Sequence, residues 1–527
     1  MQIFKQIVLN NGNIFLFLYE SNKQLIIRKP MNYTHYLYGA SVQGIQNFIF
    51  QTNELRSIAG ASELVEQICS KLFNAFNPDP TKGTLIVHAA GNIKCEFYER
   101  EDCAKVVREF PKKVLESVPG VTISQAVVKI TDHNSFPEVL DDLECKLHTQ
   151  RNKPMKNLTL GLTGILRSRT TGLPVTTIKK VNGDFLYLDE GTYKKWKHSN
   201  ADDPENITLD LCKKSFNIEN LNYRSIAFDL SDLTKDNDWI AIIHADGNNL
   251  GKTVSRYNNT PQELHRFSEN MNNATKNSAQ QTYKAIIQNE QYKLGRKIPF
   301  RPVVLGGDDM TMICRGDLAM EYTRLYLKYF EEETNKLIGE KLTACAGIAY
   351  IKSSYPFYYG YKLAEELCEK AKDDSKSIDK SAPSCLMFHK VQSSFIEKYD
   401  SIVAKELTPQ PDCSFKFGPY YLNPIKDNRW TIDKLQNCVQ QLQGSPSENS
   451  TNNAVKSDIR KWMSILTDNK EAAEQMKKRV ESISGKTEKE LFEQLTTPRN
   501  TDSSKISYYP AYDVLSLFTV ENQKTKL

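Results

Sequence analysis

Three aspartates in two short stretches have the residue types and spacing of a site for divalent metal ions. Asp246 follows the apolar stretch WIAIIHA, and Asp308 and Asp309 follow Gly306 and Gly307 between the apolar stretches PVVL and MTMIC. Clustered carboxylates repel one another unless a hard cation neutralises them, and Mg²⁺ or Mn²⁺ shared with triphosphate oxygens fits such ligands. Two bridged ions would activate a hydroxyl and stabilise a leaving pyrophosphate. The glycines would let phosphates approach the backbone.

A plainer interpretation of the same residues is an ordinary turn. A Gly-Gly-Asp-Asp string arises by chance in on the order of one chain in a hundred of this length. Glycine and aspartate are also common in the type I′ turn of a β-hairpin. The context favours the ion site, because apolar strands flank the turn and a further aspartate ends an earlier strand.

Several neighbouring residues are candidates for contact with a nucleotide. Asn248, Asn249 and Lys252 follow the first aspartate and could contact base or phosphate. Lys372 ends a predicted helix and could reach triphosphate oxygens, or it could be a solvated lysine near a helix C-terminus. His244 lies on a buried strand, where a core histidine is the more frequent case.

The predicted elements around these residues follow the order β-α-β-β-α-β of a ferredoxin-like unit. The first and third strands of such a unit are antiparallel neighbours, so the end of the first lies beside the turn that precedes the third. Asp246 and the two later aspartates therefore converge. The elements are a strand and turn over 238–252, a helix over 261–294, a hairpin over 300–316, a helix over 317–337, a strand over 342–353 and a further helix from 356 to 372.

The same order is predicted a second time, nearer the N-terminus. This unit has no aspartate after its first strand, and Ala90, Gly91 and Asn92 stand where the hairpin carboxylates would be. Its elements are a strand within 35–50, a helix over 54–73, a hairpin over 84–99, a helix over 102–117 and a strand over 121–130.

The chain is thus predicted to be an α+β protein with two ferredoxin-like units and a helical C-terminal domain. Between the units we expect a helix near 137–150 and a turn-rich stretch over 164–205, and after them a strand over 385–391 and a Ser/Asn-rich linker over 445–453. The predicted boundaries are a β-hairpin extension over 1–30, the first unit over 31–150, a linker region over 151–235, the second unit over 236–395 and a mostly helical domain over 396–527.

The composition favours a soluble, cytoplasmic protein. Of 527 residues, 39% are hydrophobic and 25% charged, with a net charge of +5, which is typical of globular chains and permits a polyanionic partner. No stretch approaches the roughly 18 apolar residues that span a bilayer. The 11 cysteines contain no C-x-x-C pair, so we expect reduced thiols and no structural zinc.

These stretches resemble a known family. IIHADGNNLGK, VVLGGDDMTMIC and TACAGIAYIKSSYPFYYGYKLAEELCEKAK are similar to the catalytic palm domain of the large polymerase subunit of type III CRISPR complexes. YLYGASVQGIQNFIF and LRSIAGASELVEQICSKLF are similar to the degenerate first palm of that family. The resemblance covers roughly 33–150 and 236–395. It implies a nucleotidyl-cyclase-like fold that makes cyclic or linear oligonucleotides from ATP, as second messengers in antiviral defence.

Several site assignments follow from this resemblance. Asp246, Asp308 and Asp309 would be the ligands of Mg²⁺ or Mn²⁺ and the catalytic residues, and the two glycines would shape the phosphate-facing turn. The first palm would be inactive and would hold an acceptor ATP, with Ser62 as a candidate contact. The expected partners of the whole chain are nucleoside triphosphates, CRISPR-type RNA-binding subunits with guide RNA, or an effector that reads the product.

The chain also departs from the family. Before the first palm there is no adjacent His-Asp pair with supporting histidines, so we expect no HD nuclease and no DNA cleavage. Zinc-ribbon cysteines between the palms are missing, and residues 1–30 precede the usual family start. This plan resembles compact relatives outside full CRISPR loci. The alternative function is therefore a nucleotide-binding scaffold subunit of an RNA-guided complex, without catalysis of its own.

Overall fold

A computed structural model of the chain describes residues 4–10, 13–19, 35–89, 91–131, 135–153, 163–181, 183–199, 207–234, 238–289, 297–392, 398–425, 429–443, 449–500 and 506–522. Strands β1 (Phe4–Asn10) and β2 (Asn13–Tyr19) pair antiparallel near the N-terminus. The β-branched and aromatic residues of NIFLFLY suit a strand.

The first palm is a four-stranded antiparallel sheet with the order β4-β5-β3-β6. This is the ferredoxin-like order predicted from the sequence, and a π-helical turn over Ile68–Leu72 continues its second helix. The elements are β3 (His35–Gln43), α1 (Ile45–Ile49), α2 (Leu55–Gln67), β4 (Gly83–Ala89), β5 (Asn92–Phe97), α3 (Arg100–Ser117), β6 (Thr122–Ile130) and α4 (Phe136–Arg151).

The region between the palms contains more regular structure than predicted. The turn-rich interpretation of 164–205 is wrong over 177–197, where a hairpin and a helix form. The sequence signal was the Asn182-Gly183 pair between two short strand-like runs, a frequent hairpin turn. The elements are β7 (Thr177–Val181), β8 (Asp184–Leu188), α5 (Glu190–Lys197), α6 (Asp210–Phe216) and α7 (Leu230–Leu233).

The second palm has the same core order, β10-β11-β9-β12, and its sheet is extended beyond β12 by β13 and by β15 (Tyr420–Tyr421) of the C-terminal region. The duplicated ferredoxin-like fold is therefore confirmed. Thr260 caps α9 by accepting a hydrogen bond from the Glu263 amide, and Pro261 fits its first turn. The elements are β9 (Trp239–Gly247), α8 (Leu250–Val254), α9 (Pro261–Gln288), β10 (Phe300–Gly306), β11 (Asp309–Arg315), α10 (Gly316–Ile338), β12 (Ala344–Lys352), α11 (Phe357–Ile378) and β13 (Cys385–Lys390).

The C-terminal region is mostly helical, as predicted, but it also carries short strands. One of them, β15, joins the second palm's sheet, and the three others form a small sheet with the order β14-β17-β16. The predicted linker over 445–453 is wrong from Asn449 onward, because the amphipathic run that follows extends into a helix; residues 444–448 lie outside the described residues. The elements are α12 (Tyr399–Ile402), β14 (Cys413–Ser414), β15 (Tyr420–Tyr421), α13 (Ile432–Gln443), α14 (Asn449–Asp468), α15 (Lys470–Ile483), α16 (Lys486–Thr496), β16 (Arg499–Asn500), β17 (Ser507–Tyr508) and α17 (Ala511–Glu521).

The two palms pack against each other through helices and edge strands. Helix α2 of the first palm lies on β10 of the second, and α9 of the second lies on β4 of the first. The rings of Phe50 and Tyr361 stack across the boundary with centroids 4.6 Å apart. His265 on α9 hydrogen-bonds through Nδ1 to the Ile86 carbonyl, at 3.1 Å. Burial continues from one palm into the other, so the palms share one core.

The central hairpins of the two palms match residue for residue. Ala89 pairs with Asn92 around the first turn, and Gly306 pairs with Asp309 around the second. Each hairpin also has a bulge in its first strand at the same distance from the turn, between Leu85 and Val87 and between Pro302 and Val304. The two hairpins therefore share their strand register and the position of their bulge, although the residues of their turns differ.

The helices and the cysteines can each be described along the chain. Across the described ranges, no helix is long and apolar enough to cross a membrane. All eleven cysteines have free thiols, and ten of them are buried.

Candidate metal and nucleotide site

The Gly-Gly-Asp-Asp stretch forms a two-residue hairpin turn between β10 and β11. Gly306 and Asp309 close the ladder, which leaves Gly307 and Asp308 in the turn. Gly307 has φ of +62°, a conformation that favours glycine, whereas Asp308 is not among the residues with positive φ. A type I′ turn requires positive φ at both positions, so this turn is not the type I′ turn of the plainer interpretation.

The sheet brings the third aspartate to the turn, as the sequence predicted. Met310 on β11 is paired with Ala245 on β9, and because the strands are antiparallel, Asp309 (before Met310) lies beside Asp246 (after Ala245). One carboxylate oxygen from each of Asp246, Asp308 and Asp309 can be chosen so that all lie within 4.8 Å of one another. Throughout the described residues, this is the one group of histidine, cysteine and acidic side chains that is close enough to hold a metal ion.

The electrostatics of the triad is that of carboxylates held together against their repulsion. Burial, followed by the charges of Asp309 and Asp246, raises the pKa of Asp308 well above its ordinary value. Burial and then the Asp246 charge raise the pKa of Asp309 to about 7. Burial alone would also raise the pKa of Asp246, but the Lys372 ammonium holds it below its ordinary value. Two of the three carboxyls therefore resist ionisation unless positive charge arrives.

Lys372 supplies the positive charge nearest to the triad. It lies on α11, and its ammonium donates hydrogen bonds to Asp246 Oδ2 and, at 2.9 Å, to the Gly247 carbonyl. Although burial disfavours the charged form, Asp246 raises the pKa of the lysine. Its side chain is only 15% exposed, so the interpretation as a solvated surface lysine is wrong.

The three side chains fit the ion predicted for them. They offer carboxylate oxygens only, the hard ligands that Mg²⁺ and Mn²⁺ prefer. The raised pKa values of Asp308 and Asp309 mean that a divalent cation would relieve an electrostatic cost already present in the fold. A cation that held the triad would compete with Lys372 for Asp246.

Two residues that support the triad were missed from the sequence. A Cβ added to Gly247 would lie 3.0 Å from both Cβ and Oδ2 of Asp308, so any larger residue there would push on that carboxylate. Thr275 on α9 donates a hydrogen bond of 2.6 Å to the Gly307 carbonyl and so fixes the turn. The Gly that directly follows Asp246 was a usable signal, whereas nothing in the sequence links Thr275 to the turn.

The side chains of the two asparagines after Gly247 hydrogen-bond to other loops of the second palm. The Asn248 amide donates to the Ala382 carbonyl at 2.8 Å and to Thr343 Oγ1 at 3.1 Å, and Asn249 donates to the Lys380 carbonyl at 3.2 Å. Lys252 is exposed on the five-residue helix α8. None of Asn248, Asn249 and Lys252 lines the cavity between the palms, and their contact with a nucleotide stays a prediction.

A cavity of about 310 Å³ lies between the palms and reaches the triad. Gly306 and Asp309 line it from the second palm, and Ser62 lines it from the first. The Ser62 hydroxyl donates to the Ile58 carbonyl of its own helix at 2.9 Å, which leaves its oxygen as an acceptor. Other lining residues include both polar and apolar side chains: Gln46, Val65, Glu66, Cys69, His88, Lys214, His244, Asn272, Asn273, Lys276, Val304 and Tyr361.

The sequence of the second palm matches a known domain family. Residues 239–380 match the family model of the Cas10/Cmr2 second palm domain. No curated protein matches the chain. The second palm is therefore a Cas10/Cmr2-type palm by sequence.

Solved structures extend the likeness to the whole fold. A Csm1–Csm4 cassette in complex with cA4 is 14% identical with a TM-score of 0.56, over 94% of this chain and 70% of that chain. The cassette in complex with AMPPNP is 15% identical with a TM-score of 0.56, over the same shares. Csm1 of T. onnurineus is 14% identical with a TM-score of 0.54, over 93% and 69%. The resemblance to the large polymerase subunit of type III CRISPR complexes is thus confirmed.

Proposed function

We propose that this Cas10-like chain is a metal-dependent nucleotidyltransferase that joins ATP or other nucleoside triphosphates into linear or cyclic oligonucleotides. The observation that carries the proposal is the convergence of Asp246, Asp308 and Asp309 within 4.8 Å of one another, at the wall of a cavity between two palms. The proposed output is a second messenger of antiviral defence.

The chain's own residues suit this reaction. Asp246, Asp308 and Asp309 would hold Mg²⁺ or Mn²⁺, which would supply positive charge to the triphosphate and favour ionisation of an attacking 3′-hydroxyl. Gly306 and Gly307 leave the turn without side chains, so phosphates can approach the backbone. Lys372 is close enough to Asp246 to move to phosphate oxygens once the carboxylate has another cation.

The cavity between the palms suits an acceptor nucleotide. It is bounded by Ser62 of the first palm and Asp309 of the second, so a nucleotide bound there would lie beside the ion-holding carboxylates. Holding two reactants in this way contributes to rate by removing the entropic cost of their encounter. Structures of Csm1–Csm4 in complex with AMPPNP and with pppApA support nucleotide binding by a fold of this kind.

The proposed partners follow from the same comparison. The similar Csm1 chains are seen with Csm4, including in a type III-A interference subcomplex. We propose that this chain also binds a subunit of a CRISPR-type complex. A second function has one observation in its favour: Lys372 already neutralises Asp246, as it would in a site that binds nucleotide as a scaffold subunit without turnover.

The decisive experiment incubates the full chain with each ribonucleoside triphosphate, singly and mixed, with Mg²⁺ or Mn²⁺. Products are resolved by liquid chromatography and mass spectrometry beside Asp308→Asn/Asp309→Asn. The charge-matched control is Asp141→Asn/Asp142→Asn, an exposed pair on α4. We expect oligonucleotides and pyrophosphate from the wild type and the control only. Binding of ATP without any product, alone and with co-purified subunits, would favour the scaffold function.

A further inference from the structure

Lys214 lies where three parts of the chain meet. It belongs to α6, in the region between the palms, and its ammonium donates to Glu66 Oε1 on α2 at 3.1 Å. The same ammonium donates to the Leu305 carbonyl on β10 at 2.6 Å. One side chain therefore joins a helix of the first palm to a strand of the second, and it lines the cavity between them.

The position of the carbonyl gives this contact its importance. Strand β10 is at the edge of its sheet, and Gly306 forms the closing pair of the hairpin with Asp309. In an antiparallel pair, hydrogen-bonded and non-hydrogen-bonded positions alternate, so the Leu305 carbonyl points away from β11 to the open edge. Lys214 satisfies it directly before the Gly-Gly-Asp-Asp turn begins.

Helix α6 is attached to the same neighbours by its backbone. Glu63 on α2 accepts a hydrogen bond from the Leu211 amide at 3.1 Å, and Gln280 on α9 donates to the Lys214 carbonyl at 2.8 Å. The helix is thus held from both palms, with the lysine as the link that reaches the strand of the turn.

We propose that Lys214 is a positioning residue for the nucleotidyl transfer proposed above, and that its bridge from Glu66 to Leu305 sets the spacing of the two palms at the cavity. An acceptor nucleotide seated on the first palm reaches the carboxylates of the second only at the correct spacing. The bridge acts through the backbone of the turn and does not contact the reacting atoms. This inference rests on the proposed function for its kinetic consequence, but not for its structural one.

The kinetic test compares Lys214→Met, Glu66→Met, their double variant and Lys214→Arg, with Lys213→Met as the matched control on the exposed side of α6. Loss of a charge-assisted hydrogen bond changes an equilibrium or rate constant that depends on it by about 10- to 100-fold. We expect each Met variant to lower kcat by that factor with KM for ATP little changed. The double variant should be no worse than either single one, and Lys214→Arg should restore most of the rate.

A direct phosphate contact by Lys214 would give the opposite pattern. Glu66→Met would then release the lysine and tighten ATP binding, while Lys214→Met would raise KM, and the two effects would add. Either this pattern or wild-type kinetics in Lys214→Met would overturn the positioning role.

A structural readout separates this inference from the proposed function. Spin labels at Lys112 on α3 and Lys328 on α10, whose side chains are 75% and 51% exposed, report the distance between the palms in a Cys145→Ser background. We expect Lys214→Met and Glu66→Met to broaden or shift the distance distribution, and Lys213→Met to leave it unchanged. An unchanged distance distribution in both bridge variants would refute the positioning role even if the wild type makes product. A changed distribution in a chain that makes no product would support the structural role of the bridge and refute only the proposed nucleotidyl transfer.

Discussion

Removing one carboxylate of the triad should stabilise the metal-free chain while it abolishes the proposed ion binding. Asp309 has a pKa raised to about 7 from an ordinary 3.8, by burial and the Asp246 charge. Because the folded pKa is the higher one, the folded state loses stability relative to the unfolded state as pH rises from about 4 to 7. At pH 8 the full difference corresponds to about 4 kcal/mol. Coupling to Asp308 and partial access of water reduce it, so Asp309→Asn should gain about 2 kcal/mol.

The assay is urea unfolding at pH 8, in EDTA and in Mg²⁺, with the slope of the free energy against denaturant checked for equality between variants. In EDTA the variant should unfold at higher urea than the wild type. Mg²⁺ should stabilise the wild type, since a ligand that binds only the folded state adds stability by mass action, and should leave Asp309→Asn nearly unchanged.

The control is Asp141→Asn, which removes the same charge from an exposed position on α4 and should shift neither midpoint. If Asp309→Asn unfolds at lower urea than the wild type in EDTA, the carboxylates are not in mutual repulsion and the electrostatic reasoning fails. If Mg²⁺ stabilises both proteins equally, the triad is not where the ion binds.

Three further outcomes are expected. Thr275→Val removes the hydroxyl that donates to Gly307, so it should cost about 1 kcal/mol in urea unfolding and lower product formation by at least about tenfold, because the turn loses its anchor. Gly247→Ala places a methyl 3.0 Å from the Asp308 carboxylate and should weaken Mn²⁺ binding by more than about tenfold in calorimetry. The control is Gly251→Ala, whose methyl has no neighbouring atom within 4 Å and should leave Mn²⁺ binding unchanged. Burial raises the pKa of Asp513 to about 7, so this carboxyl should cost the wild type stability as the pH rises from about 4 to 7. In thermal unfolding, Asp513→Asn should make the stability depend less on pH over that range. Equal pH profiles of the two proteins would contradict this expectation.

The sequence was sufficient for the parts of the fold whose periodicity is unambiguous. The duplicated strand order and the convergence of Asp246 with the Gly-Gly-Asp-Asp turn both followed from apolar strands with helices between them, and the structure has both. The hairpin β7–β8 was missed because its strands carry lysines and an aspartate and lack a clear apolar face. The small sheet formed by β14, β16 and β17 could not be found, because strands of two residues have no period.

Contacts between segments that are distant in the sequence could not be predicted either. Lys372 was singled out because the helix was predicted to end there, which is wrong, since α11 continues to Ile378. Its pairing with Asp246 depends on how α11 crosses the sheet. Thr275 and Lys214 hold the turn and its strand from α9 and α6, and neither residue belongs to a motif. Such contacts depend on tertiary packing, which a single sequence does not encode in any local pattern.

The duplicated register shows what the first palm lacks. Ser41 pairs with Asn92 as Asp246 lies beside Asp309, so the first palm has neutral side chains at two of the three candidate ligand positions. A cation is nevertheless retained, since Arg151 on the helix after the fourth strand donates to Ser41 Oγ at 2.9 Å, as Lys372 does to Asp246.

The third position differs in backbone as well as in side chain. Gly91, the counterpart of Asp308, has φ of +77°, and a Cβ there would lie 2.7 Å from Ile45 Cδ1. In the second palm the positive φ belongs to Gly307, the residue before, which leaves Asp308 in a conformation open to any residue. Substituting aspartates into the first palm would therefore not recreate the triad. In the second palm the left-handed residue is the first of the turn, and this order leaves Asp308 free to direct its carboxylate towards Asp246 and Asp309.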